Sequence, residues 1–84
     1  MLSAHVDQVA AHVARILRKE REKRGLSMTV LAQRSGLSQG MISLFESGER
    51  NASLETLVRI AYVLRLDLGK VIQRATKAAS KKRA

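Results

Sequence analysis

Small polar residues recur along one side of the stretch from 38 to 47, and their types and spacing are the ones in this chain that could do chemistry. At 100° per residue, four of them share one face of a predicted helix: Gln39, Gly40, Ser43 and Ser47. The opposite face is apolar and carries Met41, Ile42 and Phe45. A helix face that points to solvent usually carries charged residues such as Lys and Glu. This face carries none, although the chain has a formal net charge of +9. Such a face can approach another surface closely and offer it hydrogen bonds.

A companion helix is predicted just before this stretch, over residues 27–34, with Ser27 as its N-cap. Ala32 is small enough to let two helices cross closely, and Gly36 can adopt the positive φ of a tight turn. Ile42 then fixes the second helix against the core. A small residue, a glycine and an aliphatic residue at these positions predict a helix-turn-helix.

Four motifs follow one another between residues 21 and 66: R-x-x-R-G-L-S, L-A-x-x-x-G-L-S, I-S-x-x-E-x-G-E-R and S-L-E-T-L. Together they resemble the single-domain DNA-binding helix-turn-helix proteins of the lambda repressor, Cro and Xre type. The resemblance implies an all-α, five-helix lambda-repressor-like domain with a central helix-turn-helix. It also implies sequence-specific binding of duplex DNA by a dimeric transcription regulator that occupies an operator.

By this resemblance, the positions that read bases are Gln39, Gly40, Ser43 and Leu44. Gln39 begins the inserted helix, and its carboxamide can pair with N6 and N7 of adenine. Gly40 permits a close approach, and Ser43 can bond a base edge or a phosphate. Leu44 stands where the family commonly has a polar or basic residue, and it either contacts a thymine methyl group or packs against the neighbouring loop.

Candidate phosphate contacts stand at helix starts, at the end of the companion helix and in the loop after the reading helix: Ser27, Thr29, Arg34, Ser38, Ser47, Arg50 and Asn51. Side chains and free N–H groups at such places can meet phosphate oxygens. Met28 replaces the glutamine with which the family often holds a phosphate, so backbone N–H groups or Thr29 would have to substitute. The two serines that precede helices, Ser27 and Ser38, are also expected to cap them.

The resemblance further implies an ion pair between Arg21 and Glu46, which would join the first helix to the third. The residue before that arginine departs from the family pattern. Glu20 stands where an apolar residue is common, so either that site is exposed or Ile16 takes over its packing.

A long first helix is predicted from Ala4 to Arg24, with Ser3 as its cap and Gly25 as a left-handed C-cap. The family's first helix usually begins nearer Val9. The added turns either cover the last helix of the same subunit or form a dimer contact.

Two further helices are predicted after the loop, with caps at Ser53 and Asp67. The core stripe of the first comprises Leu54, Leu57, Ile60, Ala61 and Leu64. The apolar edge of the second comprises Leu68, Val71, Ile72 and Ala75. We therefore predict a DNA-binding domain over 1–76 and a basic tail over 77–84 that loses the apolar edge and frays.

Composition narrows the function further. Sixteen Lys and Arg against seven Asp and Glu favour a polyanionic partner, and the near absence of aromatic residues favours duplex DNA over single strands.

There is no Cys, and the two His residues lack companions that could complete a metal site. No catalytic constellation is present, so we expect neither an enzyme nor a cofactor. No run of apolar residues approaches the roughly 20 that a membrane span needs. We therefore expect the protein to be located in the cytoplasm.

A homodimer is predicted because one reading helix covers only a few base pairs, so the operator should be near-palindromic. The predicted interface residues are Leu66, Leu68, Val71 and Ile72, with Val6 and Val9 as a second choice. Two other functions remain open: an antitoxin-like protein-interaction module, and a DNA-coating protein. Coating is disfavoured because it needs Lys and Arg where residues 39–47 are uncharged but for one glutamate. A phage repressor, a restriction-modification controller and an antitoxin all fit the sequence.

Overall fold

The computed structural model describes residues 2–81 and contains five α-helices. They are α1 (Leu2–Lys23), α2 (Met28–Ser35), α3 (Gln39–Glu46), α4 (Leu54–Leu64) and α5 (Leu68–Lys81). Within this range there is no β-strand. The predicted all-α, five-helix fold is confirmed, and so is the long first helix, which has 22 residues.

Hydroxyl and carboxylate caps begin four of the five helices. Ser27, Ser38 and Ser53 each accept a hydrogen bond from the backbone N–H three residues later, at 3.1, 3.1 and 3.2 Å. Asp67 Oδ1 accepts the N–H of residue 70 at 3.3 Å. These four predicted caps are confirmed, whereas the prediction for Ser3 is wrong, because α1 already begins at Leu2 and Ser3 lies inside its first turn.

A left-handed glycine makes the turn between α2 and α3. Gly36 has φ 75° and its N–H donates to the carbonyl of Ala32. A Cβ at this position would lie 3.0 Å from Nη1 of Arg59, which itself donates to the carbonyl of Ser35 at 3.1 Å. The left-handed backbone conformation therefore favours glycine here, and a side chain at this position would also crowd the guanidinium of Arg59, which joins α4 to the end of α2.

All five helices contribute to one core. Its fully buried side chains are Leu17, Leu31, Ile42, Ile60, Leu64 and Val71. The helix-turn-helix pattern is confirmed here, since Ala32 and Ile42 are both buried. Burying these aliphatic side chains supplies the main driving force for folding.

The prediction that Leu54 belongs to the core is wrong. Its side chain is 68% exposed: Leu54 is the first residue of α4, and the buried residues of this helix begin only at Thr56. Val58 and Tyr62 follow it at intervals of four residues and are 50% and 83% exposed. We call Leu54, Val58 and Tyr62 the α4 apolar row, and no other helix among the described residues covers it.

The predicted loss of the apolar edge after residue 76 is also corrected. α5 continues to Lys81, and Ala75 and Ala79 are both fully buried. The contact between α1 and α5 is the most extensive contact between helices among the described residues. Residues 82–84 of the predicted tail lie outside the described residues.

Most of the predicted interface residues turn out to pack within the subunit. Val71 is 2% exposed and belongs to the core, while three others are half-buried against it: Val9, Leu66 and Leu68. Val71 therefore belongs to the core of the monomer and is not left over, whereas the interface role of Val9, Leu66 and Leu68 stays a prediction. Ile72 and Val6 remain exposed.

Candidate nucleic-acid interface

Helix α3 has one buried face and one free face. Ile42 and Phe45 anchor it in the core, whereas Gln39, Gly40 and Ser43 are exposed. Burial of two large side chains fixes the rotation of a helix only eight residues long. The predicted small, polar face of α3 therefore points to solvent.

Leu44, the fourth predicted base-reading residue, is half-buried. Its carbonyl oxygen accepts hydrogen bonds from the N–H groups of Glu49 and Arg50, at 3.0 and 3.2 Å. The backbone of Leu44 thus shapes the loop after α3, while part of its side chain stays accessible beside the free face.

Arg21 and Glu46 form a bidentate ion pair between α1 and the last residue of α3. Nε donates to Oε2 at 2.7 Å and Nη2 donates to Oε1 at 2.9 Å. The third guanidinium nitrogen, Nη1, donates to the carbonyl of Leu26 at 2.6 Å. The predicted contact is present, and it also holds the connection between α1 and α2.

This pair is nearly dry, with side chains that are 10% and 7% exposed. The hydrogen bond to Glu46 raises the pKa of Arg21 above its ordinary value, and the nearby carboxylate outweighs the opposing effect of burial. The guanidinium therefore stays charged, and the end of α3 is held by a charge-assisted contact.

A second polar contact connects the two helices of the helix-turn-helix at their N-terminal ends. The hydroxyl of Thr29, in the first turn of α2, donates to Oε1 of Gln39, the first residue of α3, at 3.1 Å. The structure thus brings together one predicted phosphate contact and one predicted base-reading residue.

Three predicted phosphate contacts are serines whose hydroxyls already have partners. Ser27 and Ser38 accept backbone N–H groups as caps, and the hydroxyl of Ser47 donates to the carbonyl of Leu44 at 3.0 Å. The amides of Gln39 and Gly40 lie in the first turn of α3, where N–H groups have no partner within the helix. These amides can bind a phosphate oxygen directly.

Three other predicted phosphate contacts are exposed: Arg34, Arg50 and Asn51. Neither arginine forms an ion pair within residues 2–81, in contrast to Arg21 and Arg59. Both can therefore offer an uncompensated positive charge. Arg50 and Asn51 belong to the loop that follows the free face of α3, and Arg34 lies in the last turn of α2.

Sequence reasoning missed two supporting contacts. Glu20 binds Arg24 in the next turn of α1, and its Oε2 lies 3.8 Å from Nη1 of Arg74 on α5. Ile16 is half-buried and packs against the core. The sequence left open whether the site of Glu20 is exposed. The structure shows that Glu20 is half-buried between Arg24 and Arg74. The only sequence signal was a carboxylate at a position where the resemblance implies an apolar residue.

Other kinds of site find no support in the part of the chain that the structure covers. No group of three or more His, Asp or Glu side chains between residues 2 and 81 could hold a metal ion. In the same range, no helix combines the length and the apolar character that a membrane span needs.

An anchored short helix with a free polar face, preceded by a glycine turn and a supporting helix, defines a helix-turn-helix protein. Comparison with family models agrees, since residues 17–71 match the helix-turn-helix family. The chain belongs to this family, in its Cro and Xre type, and its function is DNA binding in transcription regulation.

Solved structures show the same fold. The clp gene regulator ClgR from Corynebacterium glutamicum matches with a TM-score of 0.79 at 24% identity, over 89% of this chain and 80% of ClgR. A second ClgR structure gives 0.74 at 26% identity, over 83% and 91% of the two chains. The restriction-modification controller protein C.AhdI from Aeromonas hydrophila gives 0.68 at 30% identity, over 75% and 94%. The search of curated proteins found no match.

Proposed function

We propose that this protein is a sequence-specific regulator that binds a near-palindromic operator as a homodimer and acts by occupying it. The observation that carries this proposal is the free face of α3, on which Gln39, Gly40 and Ser43 are exposed and uncharged. In this proposal α3 enters the major groove, and Gln39 pairs with adenine while Ser43 meets a base edge or a phosphate.

Contacts to the DNA backbone would then surround the reading face. The first-turn amides of α2 and α3 meet phosphates near Ser27 and Ser38, and Arg50 and Asn51 meet them from the loop after α3. Arg34 supplies a further unpaired charge. These contacts set the orientation of α3, and the side chains on its free face supply the selectivity.

A second copy is needed because one α3 reaches only a few base pairs, and two-fold symmetry places two reading helices about 34 Å apart on the DNA. The α4 apolar row offers the interface. It sets Leu54, Val58 and Tyr62 on one side of α4, where four-residue spacing makes them neighbours. A symmetric pairing of two such rows would bury side chains that the monomer leaves in water. Ile72 and Val6 are the exposed members of the interface predicted from the sequence.

The protein-interaction alternative rests on the first turns of α1. Leu2 and Val6 are exposed there, and an apolar groove of about 330 Å³ lies between this part of α1 and the residues Phe45, Leu57 and Ile72. Such a groove can accept an apolar side chain of a partner. This role is compatible with operator binding, and the similarity to C.AhdI, a restriction-modification controller, supports gene regulation as the primary one.

Selection from a random duplex library tests the proposed function. The full chain is incubated with the library, bound DNA is recovered through several rounds and the enriched sequences are aligned. We expect a near-palindrome whose half-site centres lie about one helical turn apart. Uniform recovery of all sequences would contradict operator recognition and favour the coating function.

A further inference from the structure

The hydrogen bond between Thr29 and Gln39 decides how many groups of the glutamine are left for DNA. A carboxamide has two acceptor sites on its oxygen and two N–H donors on its nitrogen. Thr29 occupies one acceptor site of Oε1, at 3.1 Å. The other acceptor site and both donors of Gln39 make no side-chain hydrogen bond within residues 2–81.

The groups left over match adenine. In the major groove adenine presents N7 as an acceptor and the N6 amino group as a donor, and a carboxamide pairs with both. The free acceptor site of Oε1 can take the N6 proton while Nε2 donates to N7. Guanine presents two acceptors, N7 and O6, and would place its O6 against the oxygen that Thr29 holds in position.

We propose that Thr29 is a positioning residue for Gln39, which holds the carboxamide ready to pair with adenine and so contributes to base selectivity. This proposal rests on the proposed function of α3 as a reading helix. A long, exposed glutamine otherwise loses rotamer freedom when it binds a base, and a side chain already held by its neighbour loses less.

The alternative for Thr29 is the phosphate contact expected from the sequence, and in the hydrogen-bond arrangement seen here the two roles compete. A phosphate oxygen only accepts hydrogen bonds, so Thr29 would have to donate its proton to it. A hydroxyl has one proton, and Thr29 already donates it to Gln39. A threonine that positions the glutamine therefore acts on selectivity, whereas one that binds phosphate acts on all DNA sequences alike.

Three variants separate these roles. Thr29→Val removes the hydroxyl and keeps the shape, Thr29→Ser keeps the hydroxyl, and Gln39→Ala removes the proposed base contact. Thr29 and Gln39 are both exposed, so the thermal midpoints of the variants should stay near that of the unchanged protein. Binding is measured on a duplex selected from a random library, on its scrambled version, and on duplexes in which each base pair of one half-site is changed in turn.

We expect Thr29→Val to lower the affinity for the selected duplex by about 2- to 12-fold per half-site, the effect of newly immobilising one side chain. Affinity for the scrambled duplex should not change, and Thr29→Ser should restore the selected site. Each variant should lose its preference for one particular base pair of the half-site. This base pair should be the same for Thr29→Val and for Gln39→Ala. The double variant Thr29→Val with Gln39→Ala should bind the selected duplex with the same affinity as Gln39→Ala alone.

Equal weakening on the selected and scrambled duplexes would assign Thr29 to phosphate binding and overturn the proposal. An unchanged affinity on both duplexes, or an additive loss in the double variant, would overturn it as well. A different result is expected if α3 does not read sequence at all. Gln39→Ala would then change the affinities for the selected and scrambled duplexes equally, or change neither.

Discussion

Arg21 and Glu46 stand 25 residues apart in the chain and join α1 to the C-terminal end of α3 through two hydrogen bonds of 2.7 and 2.9 Å. The pair is buried, so the energetic consequence of losing one partner differs from that of a surface pair. A lone buried charge has neither water nor a counter-charge to stabilise it.

We therefore expect Glu46→Ala to lower the free energy of unfolding by about 3–5 kcal/mol, as is usual when one partner of a buried pair is removed. The matched control is Glu22→Ala, which breaks the surface pair of Glu22 with Arg18 and should cost at most about 0.5 kcal/mol. Chemical denaturation measures both. A double-mutant cycle of Arg21→Ala with Glu46→Ala that shows no coupling would refute the structural role of the pair.

Replacing Gly40 by alanine should change protein stability and DNA binding in opposite directions. A Cβ at this position would have Ser38 Oγ as its nearest neighbour, at 3.9 Å, so the protein itself has room for a side chain. Gly40→Ala should raise the free energy of unfolding by about 0.5 kcal/mol, because glycine is a poor helix residue. Binding to the selected duplex should weaken by about 1–3 kcal/mol if the methyl group meets DNA, the usual cost of a methyl forced into a packed contact. Higher stability with unchanged binding would show that α3 does not approach DNA closely there.

Acid should weaken the contacts of Glu20, first with Arg24 in α1 and then with Arg74 on α5. The hydrogen bond from Arg24, together with the charges of Arg24, Lys23 and Arg74, lowers the pKa of Glu20 below its ordinary value of 4.5, despite an opposing effect of burial. Because the folded-state pKa is lowered, the stabilisation from Glu20 is fully present above about pH 4.5 and is lost as pH falls through the folded-state value.

The measurement compares the unchanged protein with Glu20→Gln in urea unfolding between neutral and acid pH. The difference in their free energies of unfolding should be largest at neutral pH and shrink on the acid side. Glu49→Gln removes the same charge from an exposed loop position and serves as the control. A difference that is constant across this range would contradict the role assigned to Glu20.

The α4 apolar row predicts where dimerisation can be broken. Val58→Glu should convert the dimer to a monomer and weaken operator binding, since two glutamates would face each other at the interface. Leu2→Glu changes a side chain that is more exposed than Val58 but lies at the start of α1, and it should leave the dimer intact. Analytical ultracentrifugation of both variants checks this. Dimers that survive both Val58→Glu and Tyr62→Glu would place the interface elsewhere.

Apart from the Ser3 cap, the parts of the fold that depend on local sequence were predicted correctly. Ser27, Ser38 and Ser53 cap the helices that they precede, and Gly36 takes the left-handed conformation that its turn needs. These outcomes follow from hydrogen bonds and backbone angles within a few residues. The family resemblance added Arg21 with Glu46, a pair too distant in sequence for local reasoning.

The parts that depend on three-dimensional packing were not predictable in the same way. Leu54 continues an apolar pattern, but its direction at the start of α4 leaves it exposed. Ala79 lies in a basic stretch, but it is buried in the folded chain. Glu20 finds its second partner, Arg74, on a helix that begins 48 residues later in the chain, and no spacing rule connects them. Such contacts follow from where the helices finally lie.

We propose that the free face of α3 reads sequence while the charges around it bind the DNA backbone. The most direct test measures the affinity of Gln39→Ala and Arg50→Ala for a selected and a scrambled duplex across a salt series. Gln39→Ala should cost about 1–3 kcal/mol per half-site on the selected duplex and little on the scrambled one, without changing the salt dependence. Arg50→Ala should weaken both duplexes similarly and reduce the salt slope by about one unit per half-site. If Gln39→Ala weakens both duplexes equally, or neither, α3 does not read sequence and the proposed function is contradicted.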